Sequence, residues 1–278
     1  MAVRKKVLRA LTLQLPLTLF LLVTLFPFYW ILVTSFKEES TILQRAIEYW
    51  PRAFTLDNYR MMLSDGGFDR YFANSLFAAL TTTALVMAMA SLGGYALARY
   101  RYKGKGVTMA ILLLTQMLPG VVILVPLFEI FNKLRLINNL FSLTITYTTI
   151  NLPFCMITMS GFFASIPPTL EEAARIDGCS MVGAIIRVVL PTILPGLIAT
   201  GAFAFVNGWN EFVFALNFIN DSKMFTLPIG LSMMKCEFTV NYGGLAAGCI
   251  IALIPVLILF AYIQKYLVSG LAAGAVKG

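Results

Sequence analysis

The sequence predicts an all-α membrane protein with six transmembrane helices, because it is strongly apolar and its charges leave six long gaps. Of 278 residues, 59% are hydrophobic and 12% are charged, and the mean hydropathy is +0.83. A water-soluble domain carries about twice that charged fraction. Six long stretches contain no Asp, Glu, Lys or Arg, whereas every other uncharged stretch has at most 11 residues. Since about 20 apolar helical residues cross a bilayer core, only the six long stretches can span a membrane.

The six spans are expected to form a single transmembrane domain over residues 1–278. Strands are not expected, because the apolar runs do not alternate in short segments of about ten residues. The first run follows four basic residues, as a signal peptide would, but it is too long for a signal core and lacks a small-x-small cleavage site. We therefore expect it to remain as the first helix. The approximate spans are 11–34, 71–98, 107–128, 140–163, 188–211 and 242–264.

Polar residues and prolines indicate where the helical runs end or bend. The polar segment 37–70 is expected to form short interfacial helices and turns. The third helix is expected to break or kink around Pro119, either as a packed kink or as part of a transport pathway. The fifth helix is expected to continue from Val188 through Pro195 to Glu211.

Basic residues lie mainly on one side of this topology. The side that holds both termini carries twelve basic and three acidic residues, whereas the opposite side carries nine basic and ten acidic residues. Because Lys and Arg concentrate on the cytoplasmic side, both termini are expected to be cytoplasmic. The net charge of +8 follows from this topology and from contact with anionic membrane lipid, so no nucleic-acid partner is expected.

The residue types offer little material for catalysis. The sequence has no His, and its four cysteines are too dispersed to predict a disulfide or a zinc site. The only Gly-Lys-Gly, at residues 104–106, lacks the hydroxyl neighbour of a phosphate-binding loop. We therefore expect no catalytic residue, no metal site and no cofactor bound by this chain.

A short helix is predicted in the cytoplasmic loop between helices four and five, residues 165–187. Thr169 is a good N-cap, and Glu172 stands three residues later, which predicts a capping box on a helix over 170–177. A local ion pair between Arg175 and Glu171, four residues earlier, is one of the two interpretations of Arg175 that stay open.

The end of this helix is also marked. Gly178 predicts a left-handed stop, and Ser180 can cap the next helix. Eight residues are too few for a stable helix in water, where about 12 to 15 are needed. We therefore expect the helix to dock into a groove of a partner protein.

The same loop resembles that of the inner-membrane permeases of ABC importers, in the carbohydrate class typified by the G subunit of the maltose importer. That loop reads Glu-Ala-Ala, three residues, Gly, nine residues, then Ile-x-Leu-Pro. Here the sequence is Glu172-Ala173-Ala174, Gly178 and Val188-Val189-Leu190-Pro191, with Val188 in place of Ile. The stretch 209–212, Trp-Asn-Glu-Phe, and the C-terminal residues 270–278 are similar as well.

The resemblance implies that the chain is a multi-pass protein of the bacterial plasma (inner) membrane and that its loop helix sits in a cleft of an ATPase subunit. Two copies of that ABC ATPase would carry the ATP and Mg. The other implied partners are a second homologous permease and an extracytoplasmic sugar-binding protein, contacted by residues 219–238. For Glu172, a role in capping alone remains open. The residues implied in ATPase coupling are Glu171, Glu172, Ala173, Ala174, Asp177, Gly178, Lys277 and Gly278.

Polar residues within or beside the spans are candidates for a substrate pathway, although hydrogen bonds between packed helices explain them equally well. Glu211 would lie ~35 Å along the fifth helix, near the outer surface, which favours capping or interhelix bonding over proton relay. The candidates are Asn74, Gln116, Asn151, Asn207, Asn210 and Glu211.

The function expected from these features is that of a permease subunit of an ATP-driven, binding-protein-dependent sugar importer. It would form half of the translocation pathway and work by alternating access. The alternative is an ion-coupled secondary carrier or channel, a class that normally buries ionisable residues at midmembrane, where none is visible here. An intramembrane enzyme fits less well, because His, metal clusters and paired acids are missing.

Overall fold

A computed structural model describes residues 10–64, 67–235 and 240–275, and within these ranges the chain is helical. Its only strand-like pairing there is an isolated bridge between Lys235 and Val240. A π-helical turn, Ala10–Gln14, precedes the first helix. The helices are α1 (Leu15–Ser35), α2 (Glu39–Ile42), α3 (Asp57–Ser64), α4 (Phe68–Arg99), α5 (Lys105–Met117), α6 (Gly120–Lys133), α7 (Leu140–Ala164), α8 (Pro168–Ile176), α9 (Met181–Thr192), α10 (Leu194–Asn210), α11 (Val213–Phe218), α12 (Leu227–Met233) and α13 (Tyr242–Ala275).

Four stretches of helix are long and apolar enough to cross a membrane: Thr12–Ser35, Phe68–Arg99, Leu140–Ala164 and Tyr242–Tyr266. Two bent helix pairs also pass the length and composition test. The pair α5 and α6 bends by 96°, and the pair α9 and α10 bends by 80°. The described residues therefore hold four candidate spans, or up to six if each bent pair is one span.

The expected break near Pro119 is confirmed. Helix α5 ends at Met117, and Leu118 and Pro119 adopt extended backbone with ψ of 123° and 129°. A proline disfavours helical backbone in the residue before it and lacks the N–H that would continue the helix. Pro126, in contrast, lies inside α6 and does not end it.

The expected continuous fifth helix is wrong, because the chain turns at Ile193 between α9 and α10. Pro195 lacks the N–H that an unbroken helix would bond to the carbonyl of Pro191, and its ring would clash with that carbonyl. Within α10 the same proline occupies the second position, where a missing N–H costs nothing.

The first of two compact units comprises Met1–Asp69 and Leu231–Ile254. Helix α1 is exposed along most of its length and buries only Val33, Thr34 and Ser35. The end of α1 is held by Asn58 of α3, whose side-chain amide donates to the carbonyls of Ser35 (3.0 Å) and Lys37 (2.8 Å). Short helices in the segment 37–70 confirm the expectation for that polar stretch.

The second unit comprises Arg70–Gly230 and Pro255–Gly278. One apolar cluster packs around Leu143, Tyr147 and Phe218. Another packs around Phe163 and Val189 and includes the far end of α4. These two clusters hold α4, α7 and α10 together. A cavity between the helices and the surface helix α8 are the two candidate functional features of the chain.

Candidate functional site

A cavity of about 610 Å³ opens between α5, α6, α7, α10 and α11. The break at Pro119 lies at its wall, since Gln116, Leu118 and Gly120 on the two sides of the break line the cavity. Its lining residues are Thr115, Gln116, Leu118, Gly120, Ile123, Leu127, Tyr147, Thr149, Ile150, Asn151, Pro153, Phe154, Phe203, Asn207, Glu211 and Phe214.

Four of the six candidate pathway residues meet in this cavity. Gln116 comes from α5, Asn151 from α7, and Asn207 from α10, while Glu211 follows α10 directly. These residues are up to 95 positions apart in the sequence. Their convergence places three amides and one carboxylate on the wall of a single space.

The other two candidates do not line the cavity. The Asn74 amide donates to the carbonyls of Lys223 (3.0 Å) and Phe225 (2.9 Å), so it holds the loop before α12. Asn210 is the last residue of α10 and is exposed outside the cavity wall. Asn74 therefore has the packing role that was left open for each of these residues.

Glu211 caps a helix, as the sequence favoured. Its carboxylate accepts the backbone amides of Phe214 (2.8 Å) and Ala215 (3.1 Å) at the start of α11. The expected position of Glu211, ~35 Å along a continuous fifth helix, is wrong, because the helix breaks at Ile193. The carboxylate is the one ionisable side chain, besides the Tyr147 phenol, on this wall.

Sequence reasoning missed the aromatic and hydroxyl part of the lining. Phe154 and Phe203 face each other across α7 and α10, with ring centroids 4.2 Å apart. Thr115 and Thr149 add hydroxyl groups. A phenylalanine inside an apolar run carries no sequence signal that separates a cavity wall from a lipid-facing surface, so only the packing reveals these two.

The cavity therefore combines neutral hydrogen-bonding groups with aromatic faces. Amides can donate and accept hydrogen bonds, and hydroxyls can do both as well. Specific ligand sites typically pair such convergent polar groups with an apolar and aromatic lining. A polyhydroxylated, uncharged molecule matches this wall, whereas the lining supplies no basic group for an anion.

The second feature of interest is the loop helix α8, and its start differs from the prediction. It begins at Pro168, with Pro167 as an extended N-cap that makes no side-chain capping bond. Proline suits the first helical position, since its fixed φ matches the helix and its missing N–H is not needed there. Thr169 consequently lies inside the helix, and the predicted capping box with Glu172 is wrong.

The end of α8 follows the prediction. Gly178 has a φ of +89°, the left-handed conformation that favours glycine. The amide of Gly178 donates to the carbonyl of Arg175 (3.1 Å), and that of Cys179 to the carbonyl of Ala174 (3.0 Å). This pair of bonds is the Schellman motif. Ser180 then caps α9 by accepting the amide of Gly183 (3.1 Å), which confirms its expected role.

Glu171 pairs with Arg99 and Tyr95 and not with Arg175, the local partner that helical spacing had left open. Its Oε1 instead accepts Arg99 Nε and contacts Arg99 Nη2, each at 2.6 Å, while its Oε2 accepts the Tyr95 hydroxyl at 2.9 Å. Ala174 is buried on the same side of α8. The chain itself thus holds this short helix, because tertiary packing and an ion pair replace the partner that the length argument required.

The remaining coupling candidates divide by exposure. Glu172, Ala173, Asp177 and Gly178 lie at the surface of the described chain, whereas Glu171 is largely shielded. Lys277 and Gly278 lie outside the described residues. No group of three or more His, Cys, Asp or Glu side chains that could hold a metal occurs in residues 10–64, 67–235 and 240–275.

Known proteins share both the sequence and the fold of this chain. The chain is 40% identical over 254 residues to the sulfoquinovosyl glycerol transport system permease protein of Agrobacterium fabrum, covering 91% of this chain and 89% of that one. It is 34% identical over 279 residues to the trehalose/maltose transport system permease protein of Thermococcus litoralis, covering 99% of each. The crystal structure of a bacterial ABC transporter involved in the import of the acidic polysaccharide alginate contains a chain with the same fold. Its TM-score is 0.82 at 23% identity, and the match covers 95% of this chain and 98% of that one.

The family model for the inner membrane component of binding-protein-dependent transport systems matches residues 90–272. That range contains the whole cavity wall and the loop helix with its flanking segments. The relatives are permeases and not enzymes in their own right. The chain is therefore a multi-pass membrane permease that belongs to the family of binding-protein-dependent transport system inner membrane components, among the carbohydrate-class permeases of ABC importers.

Proposed function

We propose that this chain forms one half of the translocation pathway of an ATP-driven sugar importer and works by alternating access. One observation carries the proposal: three amides and a carboxylate from distant parts of the sequence line one cavity, at the point where a bent helix pair opens the bundle. In this proposal each bent pair is one span, which gives six spans with both termini in the cytoplasm.

The substrate class is an uncharged sugar. Hydroxyl-rich molecules satisfy amide and hydroxyl groups on the cavity wall, and the faces of Phe154 and Phe203 offer apolar surface for the ring carbons. An anionic sugar would face the carboxylate of Glu211 without a basic partner on this wall. Burying an unpaired charge beside a like charge is unfavourable, so this half of the pathway disfavours acidic sugars.

A second, homologous permease completes the pathway. Large apolar residues next to the cavity-lining residues of α5 and α6 remain exposed, among them Met117, Val121 and Val122. A contiguous apolar rim beside a polar cavity is typical of a protein interface. The partner subunit supplies the missing wall, and lipid covers the apolar surface that remains.

The ATPase docks on the exposed face of α8. Ile176, the last residue of α8, is 86% exposed, and Leu170, in its first turn, is also exposed, although both are apolar. Met181, Val182 and Ile186 of α9 extend this apolar surface. Glu172 lies at its edge and is placed to bond a basic group of the ATPase. Two ATPase copies, which carry ATP and Mg, would serve the two permeases, and an extracytoplasmic binding protein would deliver the sugar.

Uptake by the reconstituted complex tests the pathway. The chain is assembled in liposomes with its second permease, its ATPase and its binding protein, and ATP-driven uptake of a neutral oligosaccharide is measured. Asn207→Ala and Gln116→Ala should each reduce uptake, because they remove amides from the cavity wall. Asn217→Ala is the matched control, since this exposed amide in α11 bonds only the Val213 carbonyl (2.7 Å) outside the cavity.

Two outcomes would contradict the proposal. Uptake that is unchanged in both cavity variants would remove the cavity from the pathway. Uptake by the chain alone, driven by a proton gradient without ATPase or binding protein, would favour the ion-coupled carrier instead.

A further inference from the structure

We propose that Arg99, Tyr95 and Glu171 form a mechanical link, through which a displacement of the loop helix α8 is carried directly to the spanning helix α4. The three are positioning residues, and none touches the substrate. This inference rests on the proposed function, because it concerns how ATPase-driven movement of α8 reaches the cavity. It deepens the docking proposal by naming the intramolecular contact that receives the force.

The contact is built for geometric precision. The Arg99 guanidinium places both Nε and Nη2 2.6 Å from Glu171 Oε1, and the Tyr95 hydroxyl donates to Glu171 Oε2 at 2.9 Å. Both carboxylate oxygens are therefore occupied. The Arg99 and Glu171 side chains are only 12% and 14% exposed. Arg99 Nε donates the charge-assisted hydrogen bond, and Nη2 adds an ion-pair contact to the same oxygen without a hydrogen bond of its own.

The link connects the last turn of α4 to the first turn of α8. Arg99 is the final residue of α4, and Glu171 is the fourth residue of α8. Covalently, α8 is joined to α7 through residues 165–167 and to α9 through residues 177–180, and neither connector joins it to α4. The ion pair attaches α8 directly to α4, so a push by a partner on the exposed face of α8 is carried to the last turn of α4.

Behind the link, α4 and α7 are packed at backbone distance. A Cβ added at Gly94 would lie 2.8 Å from Met159 Cβ and 2.9 Å from the Ser160 amide nitrogen. The next residue of α4, Tyr95, meets the ring of Phe163 edge to face, with centroids 5.4 Å apart. Contacts this close do not deform by an ångström at low cost. The ends of α4 and α7, together with α8, therefore move as one body.

The other half of α4 reaches the walls of the cavity. Ala78 packs in the cluster that contains Tyr147, a cavity-lining residue of α7. The backbone of Ala79 lies 3.4 Å from the position of a Cβ added at Gly208, next to Asn207 of α10. Helix α4 thus runs from the surface helix α8 to two walls of the cavity. The Arg99–Glu171 pair attaches α8 to the last turn of α4, so a displacement of α8 also displaces α4.

The test measures transport per ATP hydrolysed in the complete complex, reconstituted in liposomes. Glu171→Gln breaks the ion pair with little change of shape, and Arg99→Gln breaks it by replacing the guanidinium with a shorter, neutral amide. Both should leave the complex assembled and its ATPase active, while sugar transported per ATP falls about five-fold or more, since a broken shielded pair is not replaced by solvent. Tyr95→Phe removes one hydrogen bond and should lower the ratio about two-fold. Arg101→Gln, an exposed neighbour beyond the end of α4, is the control and should leave it unchanged.

Charge reversal separates a mechanical role from a merely structural one. The double variant Arg99→Glu with Glu171→Arg restores an ion pair. Compared with Arg99→Glu alone or Glu171→Arg alone, it should therefore recover more than half of the lost sugar transport per ATP. An unchanged ratio in Glu171→Gln and Arg99→Gln would overturn the proposal. If instead the wild-type complex transports no sugar, the proposed function fails, and the link is judged by the following measurement alone.

A distance measurement does not depend on the substrate. Spin labels on Arg101→Cys and Arg175→Cys, both exposed, are introduced after the four native cysteines are replaced by serine. In the assembled complex the distance between them should stay constant when ATP closes the ATPase, because α4 and α8 move together. With Glu171→Gln added, the distance distribution should broaden and shift on ATP binding. A wild-type distance that shifts by as much as in Glu171→Gln would refute the link.

Discussion

Phe154 of α7 and Phe203 of α10 lie with their ring centroids 4.2 Å apart on the wall of the cavity. The two rings are tilted by 34° and join α7 to α10. An aromatic pair at this separation contributes about 0.5 to 1.5 kcal/mol beyond its buried area. The pair therefore has two roles in the proposed pathway: it stabilises the wall and presents an apolar face to the substrate.

Replacing Phe203 by Ala should lower ATP-driven sugar uptake by about ten-fold, since it removes an aromatic face and breaks the ring pair. Phe141→Ala is the matched control. Phe141 is an exposed phenylalanine of α7 that pairs with Phe77 and does not line the cavity. Uptake is measured at several sugar concentrations, and equal losses in both variants would show that the effect is general destabilisation.

The corrected start of α8 leads to a paired prediction about helix caps. Ser180→Ala should destabilise the loop by about 1 kcal/mol, because Ser180 accepts the Gly183 amide at the start of α9. Thr169→Ala should have almost no effect, since the N-cap of α8 is Pro167. Limited proteolysis of the loop in the detergent-purified protein provides the measurement. A larger effect from Thr169→Ala than from Ser180→Ala would support the capping box and contradict the structure.

Gly178 can be tested by backbone conformation alone. A Cβ added at Gly178 meets nothing within 4 Å, so the penalty of Gly178→Ala comes only from its φ of +89°. We expect a cost of about 1 kcal/mol at the end of α8 and looser coupling of ATP hydrolysis to uptake. Gly106→Ala is the control, because its site in α5 is equally open and already helical. Thermal unfolding and coupling are compared for the two variants, and a matching response would rule out a conformational role.

The sequence predicted those features that depend on neighbouring residues. The apolar runs gave the long helices, Pro119 gave a break, and Gly178 and Ser180 gave the end of one helix and the cap of the next. In each case the cause is local: side-chain hydropathy, a missing N–H, or a backbone conformation that glycine adopts readily.

The errors arose where distant residues or competing local signals decide. Glu171 bonds Arg99, 72 positions away, and helical spacing alone had suggested Arg175. Thr169 and Glu172 fit a capping box, but the helix already starts at Pro168, two residues before its predicted start at Leu170. The amides of Gln116, Asn151 and Asn207 were identified by type, yet only the packed helices show that they share a cavity while Asn74 does not.

The proposed ATPase contact gives the last prediction. Glu172→Lys should leave the protein inserted and folded, because Glu172 is exposed and makes no capping bond. It should nevertheless abolish most ATP-driven uptake, since it places a positive charge where a basic group of the ATPase is expected. Arg175→Gln, an exposed change on the same helix, is the control.

Binding of the ATPase is followed by crosslinking from Ala173→Cys, the exposed residue next to Glu172. A crosslink to the ATPase should form in the otherwise unchanged complex and weaken when Glu172→Lys is added. Absence of any such crosslink, or labelling of Ala173→Cys by a membrane-impermeant reagent from outside intact cells, would show that α8 is not the docking helix. The Arg99–Glu171 pair would then fix a surface helix that no ATPase displaces. In that case the pair would carry no movement from the ATPase to α4.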